Sequence, residues 1–132
     1  MVPVVFINCS LFPFLFWIMS GLKLYETRTR NTLRALVGQR VYLARTGRGR
    51  PVVLCSVVIG DPIATRSRSA FAAFRKACCI AYRSQYDWQK STKVKYLYPL
   101  LDVQPVPVPF TPPEGVRHGR VWMEYIPVNR EV

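Results

Sequence analysis

The sequence is poor in the residues that build metal centres and disulfide frameworks. Its four cysteines form no Cys-x-x-Cys pair, and His118 is the single histidine. A zinc site needs three or four suitably spaced ligands, so we expect no metal and no other cofactor. Free, buried thiols are typical of cytosolic proteins. We therefore predict a cytoplasmic protein with reduced cysteines.

Acidic residues are also scarce. The chain has 7 Asp and Glu against 19 Lys and Arg, which gives a formal net charge of +12 at pH 7. A cationic excess of this size predicts attraction to polyanions. Arginine dominates among the cations and favours bidentate contact with phosphate or carboxylate. Charge alone therefore favours a nucleic acid partner over an anionic membrane, and a basic surface without a partner is the plain alternative.

The first 22 residues carry no charge, but they do not make a continuous apolar helix. They lack the basic start and the small-residue cleavage site of a signal peptide. Pro3 and Pro13 also divide the stretch, whereas a membrane span needs about 20 continuous helical residues. We predict a buried strand in "VPVVFIN" and a helix of about three turns in "LFPFLFWIMS" that ends at Gly21. A membrane-surface role for this segment is a third functional alternative.

The rest of the chain alternates irregularly between strand and helix patterns. Strands are predicted in "KLYETRT", "QRVYLART", "VVLCSVVIGD", "KVKYLYPLLDVQPVPVPF" and "RHGRVWMEYIPV". A second helix is predicted in "SRSAFAAFRKACCIAYRS", with Ser67 or Ser69 as its cap. No linker composition divides the 132 residues, so we predict one α+β domain over residues 1–132. A small curved sheet or barrel flanked by helices fits this order best.

Four residues at the end of the apolar segment stand in a Gly-x-Lys-x-x-Glu-x-Arg pattern: Gly21, Lys23, Glu26 and Arg28. In a strand, Glu26 and Arg28 lie on one face and Tyr25 on the other. A carboxylate held between Lys23 and Arg28 would stay ionised and would orient both cations. Such a triad suits a base edge or a phosphate. A surface ion pair of little energetic value is the alternative interpretation.

This pattern resembles the ASCH family, which belongs to the PUA-like superfold. The match extends to the apolar strand and helix before it, to "VGQRVYL" after it, and to the later "VVLCSVVIGD" and "HGRVWMEY" segments. The resemblance implies a small PUA-like β-barrel of about five to seven strands flanked by two or three helices. It also implies a cleft beside the first helix, lined by the lysine, the acid and the arginine of the pattern.

The function implied by the resemblance is binding of RNA or modified nucleotides in a basic cleft. The partner is then an RNA or a nucleotide or nucleoside ligand, and the oligomeric state is left open. From the pattern and the charge distribution, the predicted ligand-binding residues are Lys23, Tyr25, Glu26, Arg28, Arg30, Arg45, Arg117 and Arg120.

An enzymatic alternative is also implied, because small relatives of the family are amidohydrolases that act on N4-acetylcytidine. Those relatives use a lysine, a threonine three residues on, and a more distant glutamate. Lys23 matches the lysine, but Glu26 stands where the threonine is expected, and Thr27 comes one place later. If the protein is an enzyme, the candidate catalytic residues are therefore Lys23 and Glu26, with Glu26 as base for a water.

Overall fold

The protein folds as a curled β-sheet with two short helices. The structure is a computed structural model that describes residues 2–118 and 121–125, with only the backbone described at 117 and 118. The strands are β1 (Val2–Asn8), β2 (Tyr25–Arg28), β3 (Arg40–Thr46), β4 (Val52–Ile59), β5 (Ile63–Thr65), β6 (Lys95–Phe110), β7 (Val116–His118) and β8 (Trp122–Tyr125). The helices are α1 (Phe14–Met19) and α2 (Arg68–Ala72), with a 3₁₀ turn at Arg34–Leu36.

The strand order in the sheet is β2-β6-β4-β3-β1-β8-β7, and β5 also pairs with β6. Strand β1 is parallel to β3 and antiparallel to β8, while β2, β4 and β5 all run antiparallel to β6. The predicted α+β class is confirmed. The described part contains eight strands where about five to seven were expected, because β5 and β7 have only three residues each and are too short to show a periodic pattern.

The long strand β6 allows the sheet to curl. Its first residues pair with β2 and β5, and its later part pairs with β4 through two register irregularities. Asp102, which lies within the irregularity between Leu101 and Gln104, has a φ of 47°. Such irregularities bend a strand and increase its twist. Three prolines, at 105, 107 and 109, lie in the later part, which is paired on one side only within the described residues. This agrees with the predicted edge position.

The core lies on both faces of the central strands. Val41 and Leu43 are fully buried on the face that packs against α1, as the alternation in β3 predicted. A smaller cluster on the opposite face contains Val4, Val53 and Met123. The continuous β-branched run of β4 predicted burial on both faces, and its residues contribute to both clusters.

Helix α1 is shorter than the three turns predicted, with six residues. Pro13 stands immediately before it, where the missing N–H is no loss, and Ser20 follows its last turn. Gly21 has a φ of 79°, and its N–H donates to the carbonyl of Ile18. This left-handed glycine ends the helix where the sequence indicated.

The predicted helix over "SRSAFAAFRKACCIAYRS" is wrong beyond its first residues. Ser67 caps α2 by accepting a hydrogen bond from the N–H of Ala70, but the helix ends after Ala72. The chain continues in turns, and Cys79 and Arg83 adopt positive φ values of 54° and 61°. Tertiary contacts of this segment override its helical pattern, as shown below for Cys78.

The four cysteines are free thiols. Burial raises the pKa of Cys55 to about 12 and that of Cys78 to about 11. The thiolate is the reactive form, so we expect Cys55 and Cys78 to resist a thiol reagent in the native protein at neutral pH. All four should react once the chain is unfolded in denaturant. Mass spectrometry after timed labelling measures this, and rapid native labelling of Cys55 would contradict the packing described.

Candidate functional site

A cavity of about 310 Å³ opens between the ends of β1 and β3, the start of β2, α1 and the turns that follow α2. Its wall includes residues from five separate parts of the chain. They are Phe6, Ile7, Asn8, Phe14, Lys23, Glu26, Thr27, Arg28, Thr46, Ile80 and Tyr86. The three charged residues of the Gly-x-Lys-x-x-Glu-x-Arg pattern therefore border one hollow.

Glu26 and Arg28 lie on one face of β2, as strand alternation predicted. Nη2 of Arg28 is 3.8 Å from Oε2 of Glu26 and donates to the carbonyl of Phe6 at 3.2 Å. The distance of 3.8 Å makes an ion pair but exceeds a hydrogen bond. Within the described residues, Oε2 accepts no hydrogen bond and the buried Nε of Arg28 donates none. The pair therefore retains an acceptor and a donor that its own contacts do not use.

Lys23 lies between the end of α1 and the start of β2, with only 2% of its surface exposed. Its Nζ donates to the carbonyl of Cys78 at 2.6 Å and lies 4.7 Å from the centroid of the Phe14 ring. Two cations were expected beside Glu26. In the described part of the chain, only Arg28 forms an ion pair with it. Lys23 instead joins β2 to the turns after α2, and it is this contact that holds Cys78.

Two aromatic rings form the apolar wall of the cavity. Phe14 and Tyr86 pack edge to face, with ring centroids 5.1 Å apart. Their arrangement is typical of aromatic pairs in a core. The cavity therefore combines an apolar wall with three charged groups, the composition expected of a small-ligand site.

The turns between α2 and β6 are held by two further buried charges. Asp87 is 1% exposed, and it accepts hydrogen bonds from the backbone N–H of Arg83 and Trp88 and from Nε of Arg75. Lys95 is 5% exposed and donates to the carbonyl of Tyr86, and burial lowers its pKa. These contacts fix the segment that brings Tyr86 to the cavity.

The state of Asp87 makes native stability depend on pH. Burial acts to raise the pKa of Asp87, but the hydrogen bonds from Arg83, Trp88 and Arg75 hold it below the ordinary value. A carboxyl group whose pKa is lowered in the folded state contributes stability above its unfolded pKa, and that contribution is lost as pH falls through the folded pKa.

We therefore expect the free energy of unfolding to decrease below about pH 4, measured by urea titration at a series of pH values. In Asp87→Asn the decrease should be smaller. An equally steep decrease in this variant would show that other carboxyl groups cause it.

Three of the other predicted ligand-binding residues lie elsewhere. Tyr25, the first residue of β2, is half-buried and packs edge to face against Phe74. Arg30 borders a separate notch with Lys93, and Arg45 borders a groove beside α1. The remaining two, Arg117 and Arg120, lie outside the described side chains. The structure thus places Lys23, Glu26 and Arg28 around one cavity, and Tyr25, Arg30 and Arg45 do not line it.

Several cavity residues were not predicted from the sequence. Asn8, Phe14, Ile80 and Tyr86 all border the cavity. Phe14 and Ile80 read as ordinary core residues, and Tyr86 lies 58 positions after Arg28 in the chain. The one available signal was Asn8, a polar residue at the end of an apolar strand.

Two further features concern membrane-spanning helices and groups of metal ligands. Neither α1 nor α2 is long and apolar enough to cross a membrane. Among the side chains that the structure describes, no three His, Cys, Asp or Glu groups gather as they would around a metal ion.

No protein-family model matches this chain, and no curated protein matches it by sequence. It is similar to crystal structures of ASCH from Zymomonas mobilis. One has a TM-score of 0.62 and 22% identity, covering 78% of this chain and 68% of that one. A serine-to-alanine variant has a TM-score of 0.65 and 23% identity, covering 83% of this chain and 72% of that one. A tyrosine-to-phenylalanine variant has a TM-score of 0.64 and 23% identity, covering 83% of this chain and 74% of that one.

This likeness shows the fold: the chain has the small α+β fold of the ASCH proteins, as the resemblance in the sequence predicted. At these identities it does not extend to what the protein binds. That question depends on the residues of the cavity.

Proposed function

We propose that this protein binds RNA or a modified nucleotide and holds one nucleoside in the cavity. The observation that carries this proposal is the placement of Lys23, Glu26 and Arg28 around a single hollow of about 310 Å³. That volume lies at the lower end of the range for small-ligand sites. It suits one nucleoside, with the remainder of a strand outside.

The unused hydrogen-bonding groups of the pair suit the edge of a base. Oε2 of Glu26 is an acceptor for an exocyclic amino group, and the guanidinium of Arg28 is a donor for a ring nitrogen or carbonyl oxygen. Proteins that read single-stranded RNA use such contacts to unstacked bases together with aromatic surfaces. Phe14 and Tyr86 supply an apolar surface in the cavity wall.

The overall charge supports the same partner. A net charge of +12 attracts a polyanion and gives binding that weakens as salt rises. We further propose a cytoplasmic location, which the free thiols support because such thiols are typical of reducing compartments. Cell fractionation tests that location, and recovery of the protein in the membrane fraction would favour the membrane-surface alternative.

Filter binding of a short single-stranded RNA, repeated over a range of salt concentrations, tests the proposed function. We expect log affinity to fall linearly with log salt and free nucleosides to compete for binding. Wild-type protein that captures neither RNA nor nucleosides would refute the proposal. Capture of RNA that is identical in Glu26→Ala would refute the assignment of the cavity.

A second candidate is hydrolysis of the amide of an acylated cytidine such as N4-acetylcytidine. It is favoured by Glu26, which lines the cavity and whose Oε2 accepts no hydrogen bond in the described structure. Glu26 would take a proton from a water that attacks the acyl carbonyl, while Lys23 or Arg28 would stabilise the oxyanion. The amine then leaves with the proton, and acetate and cytidine are the products.

Incubation of the pure protein with N4-acetylcytidine separates the two candidates. Acetate release that is lost in both Glu26→Gln and Lys23→Ala supports hydrolysis. Tight binding of the nucleoside without acetate release supports a binding module.

A further inference from the structure

A second basic recess lies at the end of the β2–β6 ladder, beyond the pair formed by Arg28 and Tyr96. It is a notch of about 480 Å³ where the chain leaves β2 and where it approaches β6. Its lining consists of Thr29, Arg30, Ser91, Thr92, Lys93 and Val94. The residues therefore come from two short segments that the ladder brings side by side.

The lining of this notch consists almost entirely of hydrogen-bond donors. Arg30 and Lys93 are exposed, and neither side chain has a hydrogen bond or ion pair with any group in the described structure. Among the residues that the structure describes, no acidic side chain borders the notch. Oγ1 of Thr92 accepts from the N–H of Gln89 at 2.9 Å, so the hydroxyl hydrogen remains to be donated. Two cations and three hydroxyl groups are the donor set that proteins use for phosphate.

The notch begins next to the candidate nucleoside cavity. Thr29 and Arg30 follow Arg28 directly, and two residues of extended chain span at most about 7 Å. The backbone of the notch thus starts within about 7 Å of the backbone of Arg28, and on this basis we expect the phosphate next to a nucleoside in the cavity to reach the notch. An acceptor–donor pair that is followed in the chain by a cationic recess suits the base and the adjacent phosphate of a single strand.

We propose that this notch, built around Arg30 and Lys93, is a subsite for the backbone phosphate next to the nucleoside held in the cavity. The inference rests on the proposed function. It makes an oligonucleotide, rather than a free nucleoside, the preferred ligand, because a nucleoside engages the cavity alone. Phosphate contacts of this kind fix the position of a strand without reading its sequence.

The test compares two double variants of the full chain. In Arg30→Ala/Lys93→Ala we expect affinity for a single-stranded RNA of about ten nucleotides to fall by about tenfold. The slope of log affinity against log salt should shrink by about 0.7 for the lost phosphate contact. The affinity for free cytidine should stay at the wild-type value. The charge-matched control is Arg50→Ala/Lys76→Ala, which removes two other exposed cations and should change RNA affinity by no more than about twofold.

Each other outcome overturns the inference in a distinguishable way. If Arg30→Ala/Lys93→Ala binds RNA like the control while Arg28→Ala fails to bind it, the notch is no phosphate subsite and the proposed function stands. If cytidine affinity falls together with RNA affinity, the notch belongs to the nucleoside site and is not a separate subsite. If wild-type protein binds neither ligand, the proposed function fails first.

Discussion

Replacing Arg28 with alanine is expected to weaken the binding of single-stranded RNA by about tenfold to a hundredfold. The guanidinium is the group that joins Glu26, the Phe6 carbonyl and the cavity. Hydrogen bonds that involve a charged group contribute about 1.5–3 kcal/mol each, which corresponds to this range of affinity. Filter binding at one fixed salt concentration measures the change.

Two control variants separate this effect from a general loss of charge. Arg28→Lys keeps the charge but removes the planar fork of donors, so we expect it to recover only part of the affinity. Arg50→Ala removes an exposed arginine in the turn before β4 and should leave affinity nearly unchanged. Equal losses in Arg28→Ala and Arg50→Ala would show that the protein binds RNA through diffuse charge and that the cavity has no special part in it.

The largest expected effect on stability follows from Asp87→Ala. We expect the free energy of unfolding to fall by about 3–5 kcal/mol, the usual effect of removing one partner of a buried ion pair. The side chain of Asp87 is 2% exposed and that of Arg75 is 19% exposed, with 3.0 Å between Oδ1 and Nε. The substitution also leaves the N–H groups of Arg83 and Trp88 without their acceptor. Urea denaturation followed by circular dichroism measures the change.

The chain contains a matched control for this prediction in Asp102, which pairs with Arg40. Here the two side chains are 61% and 36% exposed, and surface ion pairs contribute at most about 1 kcal/mol. Asp102→Asn removes the charge and keeps a side chain that tolerates the positive φ at this position, so it should have a small effect. A loss as large as that of Asp87→Ala would mean that burial does not determine the contribution of these pairs.

The two predictions are connected through the cavity. Lys23, Lys95 and Asp87 hold the turns between α2 and β6 by contacts to Cys78, Tyr86 and Arg83. These turns supply Ile80 and Tyr86 to the cavity wall. Preorganised walls reduce the ordering required when a ligand binds. The shape of the candidate site therefore depends on charged groups of which two, Lys95 and Asp87, do not line it.

The strands could be predicted from the sequence because their signals are local. Alternation placed Val41 and Leu43 on the buried face, and the β-branched run of β4 predicted its position between two clusters. The second helix was overestimated because the spacing of Phe71, Phe74 and Cys78 is helical. Lys23, which is 55 residues earlier than Cys78, binds the carbonyl there. A contact between residues so far apart in the chain cannot be recognised from the residue pattern of a short stretch of sequence.

The charged residues of the candidate site could also be predicted from local spacing, but its apolar residues could not. The spacing of Glu26 and Arg28 on one strand indicated that they share a face, and the structure places them on the same cavity. Phe14 and Tyr86 were missed because apolar and aromatic residues look alike whether they fill a core or line a hollow. Arg45 does not line the cavity because successive residues of a strand point to opposite faces: Thr46 lines the cavity, and Arg45 borders the groove beside α1.

The measurement that tests the central claim most directly is the NMR signal of the Arg28 Nε–H group during titration with short single-stranded RNA. The signal is assigned by its absence in Arg28→Lys. We predict that it shifts progressively as RNA is added, while the corresponding signal of Arg50 stays in place. RNA that binds with the Arg28 signal unmoved would contradict the claim that the cavity formed by Lys23, Glu26 and Arg28 is where the ligand binds.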